Sequence, residues 1–265
     1  MDGVSGWSSF IPFEYRYFRS RTDRFEIHIA ENSFTANSAH LDIHHPEIQM
    51  SGELIFEGVT PWPKTLISPG IMGWYAWVPG MQCYHGVVSL NHTIQGTLKI
   101  NAETLDFSGG TGYTEKDWGK SFPEAWIWMQ TNHFTRPGTC LTASAAIIPW
   151  RSRAFNGFIA GLWTGNHLYR FATYTGARIE AVHVTDYEVT LVLADHHKRL
   201  SLTAARSEGG ILKAPTARQM NRRITETLSA HVKVIMEERK GSRWMTVFND
   251  TGRHAGLEVV GTLNL

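Results

Sequence analysis

The sequence predicts an all-β protein built from antiparallel strands. Apolar and polar residues alternate through most of the 265 residues, helical spacing almost never persists, and turn sequences recur at short intervals. Many short strands separated by regular turns are typical of β-barrels and β-sandwiches. We therefore expect antiparallel sheets that form a barrel or a sandwich.

Period-2 alternation marks the predicted strands in order. In the first, 24–30, Phe25, Ile27 and Ile29 share one face, and Glu26 and His28 lie on the other. The same alternation predicts strands at 53–56, 86–90, 93–100, 125–134, 141–148, 155–163, 167–174, 178–184, 187–193, 199–204, 231–238, 243–248 and 255–263.

The alternation breaks near Trp150, where Pro149, Arg151 and Arg153 stand close together. Proline and charged residues are common between structural units. We therefore expect two barrel-like units, residues 1–149 and 150–265, packed as one body.

Charge and composition exclude several classes of protein. Lys and Arg number 25 against 24 Asp and Glu, so the formal charge of +1 gives no basis for binding nucleic acid through bulk charge. Two cysteines are too few for a disulfide framework. No apolar run approaches a membrane span, and the first residues lack the features of a signal peptide. We expect a cytoplasmic protein, with peripheral membrane contact as an alternative.

Motifs for metals and cofactors are also lacking. The sequence contains no H-E-x-x-H, no G-x-S-x-G and no dinucleotide-binding glycine pattern. Asp42, His44 and His45 are the nearest metal-ligand candidates, but strand alternation would place Asp42 and His44 together and His45 on the other face. We expect neither a metal nor a cofactor.

One segment, 109–134, concentrates chemically useful side chains. It reads G-G-T-G-Y-T-E-K-D-W-G-K-S-F-P-E-A-W-I-W-M-Q-T-N-H-F. If 125–134 is a strand, one face carries the polar and indole groups of Trp126, Trp128, Gln130 and Asn132, which would suit a pocket wall. The opposite face, with Ile127 and Met129, is predicted to face the core.

Glu115 and Asp117 would share a face of an extended strand. Two nearby carboxylates in an aromatic enclosure can hold one proton at neutral pH, and such a group can act as a general acid. The alternative is structural, because either carboxylate could pair with Lys116, Lys120 or a distant arginine.

The segment 112–134 is similar to the tocopherol cyclase family pattern G-Y-x-E-K-D-W-G-x-x-F-P-x-x-W-x-W-x-Q-x-N-x-F. S-P-G-I-M-G-W-Y at 68–75, C-Y-H-G-V-V-S-L-N-H at 83–92 and D-F-S-G-G at 106–110 also resemble family segments, as do F-N-G-F-I-A-G-L-W at 155–163 and L-Y-R-F-A-T-Y-T-G-A at 168–177. The resemblance extends from about Phe25 to the C-terminus.

The resemblance implies a double calycin-like β-barrel that closes a chromanol ring on a prenylated hydroquinone without a redox cofactor. An alkene would be protonated, and a phenol oxygen would then attack the tertiary cation. The family's opening aromatic strand, Y-F-x-G-W-Y-F-K, has no counterpart here, so we expect the first unit to lack its N-terminal strand.

Roles follow for the matching residues. We expect Asp117 to be the acid, with Glu115 as second choice, and Trp126 and Trp128 to stabilise the cation. The remaining expected substrate contacts are Tyr113, Trp118, Gln130, Asn132 and, from the 83–92 segment, His85. The alternative is a lipocalin-like carrier that binds a lipid or isoprenoid without reaction.

Overall fold

The computed structural model describes residues 8–150, 153–216 and 219–263. Within these ranges the chain forms two antiparallel sheets and three short 3₁₀ helices, Tyr15–Tyr17, Gly73–Trp77 and Thr173–Thr175, and it has no α-helix. The predicted all-β class is confirmed, whereas closure of each sheet into a barrel stays a prediction. Nowhere in the described ranges does a helix reach the length and apolarity needed to cross a membrane.

The first sheet has eight strands. In chain order they are β1 (Phe18–Ser20), β2 (Glu26–Ile29), β3 (Asn32–Thr35), β4 (Ser38–His45), β5 (Ile48–Glu57), β6 (Cys83–Ile100), β7 (Glu103–Asp106) and β8 (Gly110–Gly119). Strands β1 to β7 follow one another in space, and β8 also pairs with β6. The sheet is thus a meander in which β6 has several neighbours.

The second sheet has ten strands. They are β9 (Trp126–Thr131), β10 (Thr139–Trp150), β11 (Arg153–Thr164), β12 (Leu168–Ala172), β13 (Arg178–Val184), β14 (Glu188–Ala194), β15 (Lys198–Ala205), β16 (Gly210–Ala214), β17 (Arg222–Lys240) and β18 (Arg243–Val260). Their order in space is β12-β11-β10-β9-β18-β17-β15-β14-β13, and β16 pairs with β17. Strand β9 therefore lies between β10 and β18.

The structure divides the chain at other positions than the sequence suggested. An eight-strand unit comprises 9–63 and 86–116, and a ten-strand unit comprises Ser8, 64–85 and the described residues from 117 onward. The predicted boundary between 149 and 150 falls inside β10, which pairs with β11 over its whole length, from Thr139↔Thr164 to Trp150↔Arg153. Pro149 and Arg153 therefore lie at the end of a hairpin, where proline is tolerated, and not in a linker; Arg151 lies outside the described residues.

The core of the ten-strand unit is closely packed. Ile127, Met129 and Leu141 are at most 1% exposed, and they belong to one cluster with side chains from every strand of the sheet except β16. The face of β9 that the alternation assigned to the core therefore does lie there. A close-packed interior of this kind leaves little room for a ligand among its own side chains.

Candidate functional site

The segment 109–134 that the sequence singled out contains the whole of β8 and the whole of β9. Glu115 and Asp117 both lie in β8, two positions apart, and alternation therefore puts them on one face of that strand. The amide of Lys120 donates a hydrogen bond to the carbonyl oxygen of Gln82 (2.9 Å), which holds the end of β8 against the start of β6.

Gly119 makes this approach possible. Its φ is +149°, and a Cβ at this position would lie 2.4 Å from the carbonyl oxygen of Gln82 and 3.0 Å from the Cα of Cys83. No larger residue fits there without moving one of the strands. The glycine therefore determines how closely the residues around Asp117 approach those around His85.

Asp117 and His85 form a hydrogen-bonded pair. His85 Nδ1 lies 2.8 Å from Asp117 Oδ1, and the side chains of His85 and Asp117 are 14% and 30% exposed. The backbone amide of His85 also lies 3.0 Å from Met72 Sδ. A carboxyl and an imidazole at this distance can share one proton and pass it between them, which suits an acid or a base.

Glu115 has a different partner. The hydroxyl of Tyr113 donates a hydrogen bond to Glu115 Oε2 at 2.5 Å, and both side chains are half-buried. Two of the predicted site residues are thus joined directly. Such a pair can present a hydroxyl and a carboxyl to a polar group of a ligand.

Lys116 projects to the other side of β8. Its Nζ lies 5.5 Å from the centroid of the Phe25 ring, which immediately precedes β2. This contact joins residues from opposite ends of the strand order, so the eight-stranded sheet is strongly curved.

Trp118 stacks on Tyr84. The ring centroids are 5.4 Å apart and the planes are 10° from parallel, while Trp118 remains 46% exposed. Tyr84 and Trp118 are the sequence neighbours of His85 and Asp117, so strand alternation places the aromatic pair on the opposite face from the His85–Asp117 pair. Trp118 therefore does not provide an aromatic face beside that carboxyl.

Trp126 lies in a satellite core and already has close neighbours. It is 5% exposed, and its Nε1 donates a hydrogen bond to Glu258 Oε2 at 2.6 Å. The guanidinium of Arg222 lies 4.9 Å from the ring centroid, and Phe122 contacts the ring edge-on at 5.6 Å. A cation thus already lies over this indole, and stabilisation of a substrate cation by Trp126 stays a prediction.

The other predicted residues of this face follow along β9 and beyond. Trp128 is opposite Glu258 in the neighbouring strand and covers Gly256, where a Cβ would come within 2.7 Å of the ring. Gln130 Nε2 lies 3.9 Å from Cys140 Sγ. Asn132 follows the end of β9, and its buried Nδ2 has no hydrogen-bond partner in the described structure. These side chains line one side of the sheet, but they do not contact the residues around Asp117 in any described hydrogen bond.

The eight-stranded sheet has an apolar face that the sequence did not identify as a site. Two rows of paired residues cross it, Ile27–Phe34–Ala39–Leu54 and Leu41–Gly52–Leu98–Leu105. Of these, Ala39 and Leu98 are buried and the other large side chains only half-buried. The opposite face is polar, with a row formed by His28, Ser33, His40, Glu53 and Thr97.

The two sheets thus differ in how completely their apolar faces are covered. The core residues of the ten-strand unit are almost fully buried, whereas Ile27, Phe34 and Leu54 keep accessible surface. Further apolar contact would be favourable at such half-covered side chains. This apolar face of the eight-stranded sheet is therefore a candidate surface for an apolar ligand.

Two titratable groups beside these features have shifted pKa values. Burial, reinforced by the charge of Asp117, raises the pKa of the Cys83 thiol to about 12. Burial lowers the pKa of His92, whose Nδ1 lies 3.0 Å from Ser89 Oγ and whose ring packs 4.4 Å from that of Phe56. Cys83 is thus a neutral thiol, and neutral His92 is a structural residue of the eight-strand unit.

Asp42 and His44 pair as alternation predicts. His44 Nε2 lies 3.0 Å from Asp42 Oδ1, and both residues lie in β4. Two ligands fall short of the three or four protein ligands typical of a zinc site.

The chain matches the family model described as "Tocopherol cyclase-like" over residues 26–261. Among curated protein sequences it is 25% identical over 199 residues to "Tocopherol cyclase, chloroplastic" of Zea mays, an alignment covering 71% of this chain and 41% of the maize protein. It is 23% identical over 197 residues to "Probable tocopherol cyclase, chloroplastic" of Oryza sativa subsp. japonica, which covers 71% of this chain and 42% of the rice protein. The alignments thus span about two fifths of the length of these plant proteins.

Among solved structures, the chain is similar to kievitone hydratase from Nectria haematococca, with a TM-score of 0.44 and 12% identity over 85% of this chain and 65% of that one. The sequence match over residues 26–261 is the decisive finding, since it includes nearly all of both sheets. The chain belongs to the tocopherol cyclase-like family.

Proposed function

We propose that this protein is a cofactor-independent cyclase that protonates an alkene of a prenylated hydroquinone, or of a similar apolar substrate, and closes a ring on the phenol oxygen. The observation that carries the proposal is the His85–Asp117 pair in the family segments, at 2.8 Å and partly shielded from solvent. Membership of the family supports the reaction class.

Asp117 is the proposed acid. Its carboxyl proton would pass to the less substituted alkene carbon, which leaves a tertiary carbocation and a carboxylate. The negative charge that develops on Asp117 would stabilise the cation while it exists. The phenol oxygen then forms the new C–O bond and loses its proton to Asp117, so the substrate is isomerised with no net gain or loss of atoms.

His85 is the proposed partner of that acid. An imidazole within hydrogen-bond distance can hold the shared proton between turnovers and return it to Asp117. Glu115, hydrogen-bonded to Tyr113, is the second candidate for the acid and can otherwise orient a substrate hydroxyl. We give Trp126 no catalytic role in this proposal, because its ring already lies against the Arg222 guanidinium and its Nε1 donates a hydrogen bond to Glu258.

A separate candidate surface lies within the eight-strand unit. Its half-buried face with Ile27, Phe34 and Leu54 offers aliphatic and aromatic contacts to an apolar ligand. A carrier without chemistry would also use an apolar surface, so binding alone does not establish the cyclase.

The test is incubation with prenylated hydroquinones in D₂O, followed by chromatography and mass spectrometry. Chromatography is needed because the product is an isomer of the substrate. A carbon-bound deuterium in the product would report protonation of the alkene. In Asp117→Asn we expect turnover to fall by roughly 10²-fold or more with substrate binding retained, while the exposed control Asp186→Asn keeps full activity.

Three outcomes separate the alternatives. Loss of product in Asp117→Asn but not in Glu115→Gln supports Asp117 as the acid, and the reverse result transfers the role to Glu115. Substrate binding without product in the unmodified protein overturns the cyclase proposal in favour of the carrier. Product of unchanged yield without carbon-bound deuterium contradicts alkene protonation.

A further inference from the structure

The loop between β5 and β6 presents unusually exposed apolar side chains. Leu66 is 93% exposed and Ile67 is 77% exposed, and Trp77 and Trp74 follow at 64% and 44%. Single exposed apolar residues are ordinary on protein surfaces, but four large ones within twelve positions are not. We call this feature the exposed loop (64–78).

The tip of the exposed loop is an ordered turn. The amide of Thr65 donates to the carbonyl of Ser68 (2.8 Å), and the amide of Ser68 donates to Thr65 Oγ1 (3.0 Å). Leu66 and Ile67 occupy the two positions between them. The Nε1 of Trp77 donates to the carbonyl of Leu66 at 3.1 Å, which brings the indole to the same tip.

The base of the loop is anchored within the ten-strand unit. The hydroxyl of Tyr174 donates to the carbonyl of Ile71 (2.6 Å), and Gly73 leaves room for the Tyr174 ring, which a Cβ would approach to 2.6 Å. Tyr75 stacks on Trp74 at 4.0 Å and packs against Phe155 at 6.2 Å. These contacts hold the base of the loop on the ten-strand unit, while Leu66 and Ile67 at its tip remain exposed.

The charge of the loop narrows the choice of partner. Between positions 58 and 82, Lys64 is the only charged residue, and no Asp or Glu occurs from 58 through 102. Carboxylates would oppose contact with a negatively charged membrane surface, and this stretch has none. Indole rings prefer the boundary between headgroups and acyl chains, and exposed Leu and Ile side chains are stable below it.

We propose that the exposed loop docks this protein on a lipid bilayer, with Leu66 and Ile67 inserted among the acyl chains and Trp74 and Trp77 at the headgroup boundary. Lys64 would lie beside the lipid phosphates. The proposal rests on the exposed side chains and on the charge of the loop, and it holds whether or not the protein is a cyclase.

The experiment is flotation of the purified full chain with phosphatidylcholine vesicles, with and without one quarter phosphatidylglycerol. We expect the unmodified protein to float with both kinds of vesicle. The double variant Leu66→Ser/Ile67→Ser should bind about tenfold more weakly or worse, because two inserted side chains are lost. The matched control is Ile211→Ser/Leu228→Ser, which alters two aliphatic residues that are 57% and 52% exposed elsewhere.

A second readout locates the contact. Brominated lipids should quench part of the tryptophan fluorescence of the unmodified protein, and Trp77→Phe should reduce that quenching. Thermal melting checks that each variant is folded. Failure of the unmodified protein to float, or equal flotation of the loop variant and the control, overturns the proposal. Self-association that disappears in the loop variant, without vesicle binding, overturns it in favour of a second copy as the partner.

Discussion

Replacement of Trp126 by phenylalanine distinguishes a structural indole from a catalytic one. The substitution removes the hydrogen bond from Nε1 to Glu258 and weakens the contact with the Arg222 guanidinium. A hydrogen bond to a charged group contributes about 1.5–3 kcal/mol, and a partly desolvated cation–π contact contributes roughly 0.5–2 kcal/mol. We expect the free energy of unfolding to fall by about 2–4 kcal/mol in Trp126→Phe.

Urea unfolding measures this loss. With a urea dependence of about 3 kcal/mol per molar, the midpoint should fall by roughly 1 M. A double-mutant cycle with Glu258→Leu, which removes the acceptor oxygens, isolates the hydrogen bond, and we expect a coupling of about 1–3 kcal/mol. Glu258 has further interactions, so the cycle is more informative than the single Glu258 variant.

The result that would refute the structural assignment is specific. An unchanged urea midpoint combined with a loss of turnover would show that the indole acts on the substrate and that its contacts with Arg222 and Glu258 contribute little. Lower stability with unchanged turnover per folded molecule would place Trp126 in the scaffold.

Three further predictions concern the residues around β6 and β8. Cys83, with a pKa of about 12, should be alkylated at pH 8 roughly 10³-fold more slowly than an ordinary thiol. Asp117→Asn should speed the alkylation slightly, because the charge of Asp117 contributes to the raised pKa of the thiol. Rapid alkylation of Cys83, located by peptide mapping, would contradict this prediction. Burial lowers the pKa of His92, so the unfolded chain binds a proton more readily than the folded protein. The free energy of unfolding should therefore fall as the pH drops from about 7 through the unfolded pKa near 6.5. His92→Gln should remove that part of the pH dependence of the urea midpoint, and an unchanged pH profile in this variant would contradict the prediction. Gly119→Ala should lower the free energy of unfolding by about 1–3 kcal/mol, because a Cβ would clash with the carbonyl oxygen of Gln82. Turnover should fall as well, although Asp117 is unchanged. Full stability and full activity of this variant would show that β6 and β8 can move apart without consequence.

The sequence predicts the class of the fold because alternation survives wherever a strand has one apolar and one polar face. It predicts β2 and β14 for this reason. Strand β4 shows the same alternation, with Ala39, Leu41 and Ile43 between polar residues, but its several histidines obscure it. Strand β17 begins earlier than the predicted 231–238, because register shifts on either side of Ala230 interrupt the alternation. Strand β18 runs continuously where the sequence predicted two strands, 243–248 and 255–263.

Strand β8 could not be found from alternation. Gly110, Gly112, Thr114 and Lys116 occupy one of its faces, and none is a large apolar residue. The reason lies in the neighbouring strand, since a Cβ on Gly112 would lie 2.0 Å from Nε2 of His92. The buried histidine of β6 fills the space that a side chain of β8 would otherwise fill, and such long-range complementarity leaves no local pattern.

The sequence predicted only part of the surroundings of the β9 residues, because partners from distant strands leave no local pattern. The sequence placed Trp126, Trp128, Gln130 and Asn132 on one face, but it gave no indication that β17 and β18 bring Arg222 and Glu258 onto that face. A strand pattern shows which side chains share a surface, whereas its partners in other strands decide whether that surface is open to a ligand.

The His85–Asp117 pair also depends on how two strands pack, and here the packing brings the two site residues together. The two residues are 32 positions apart, and neither predicts the other from its local sequence. What joins them is the close approach of β8 to β6, which requires the glycine at 119 and the backbone hydrogen bond from Lys120 to Gln82. The D-W-G-K run therefore carries the proposed acid together with the backbone features that bring its histidine partner within reach, and a substitution at Gly119 should affect turnover through distance while the titratable groups stay the same.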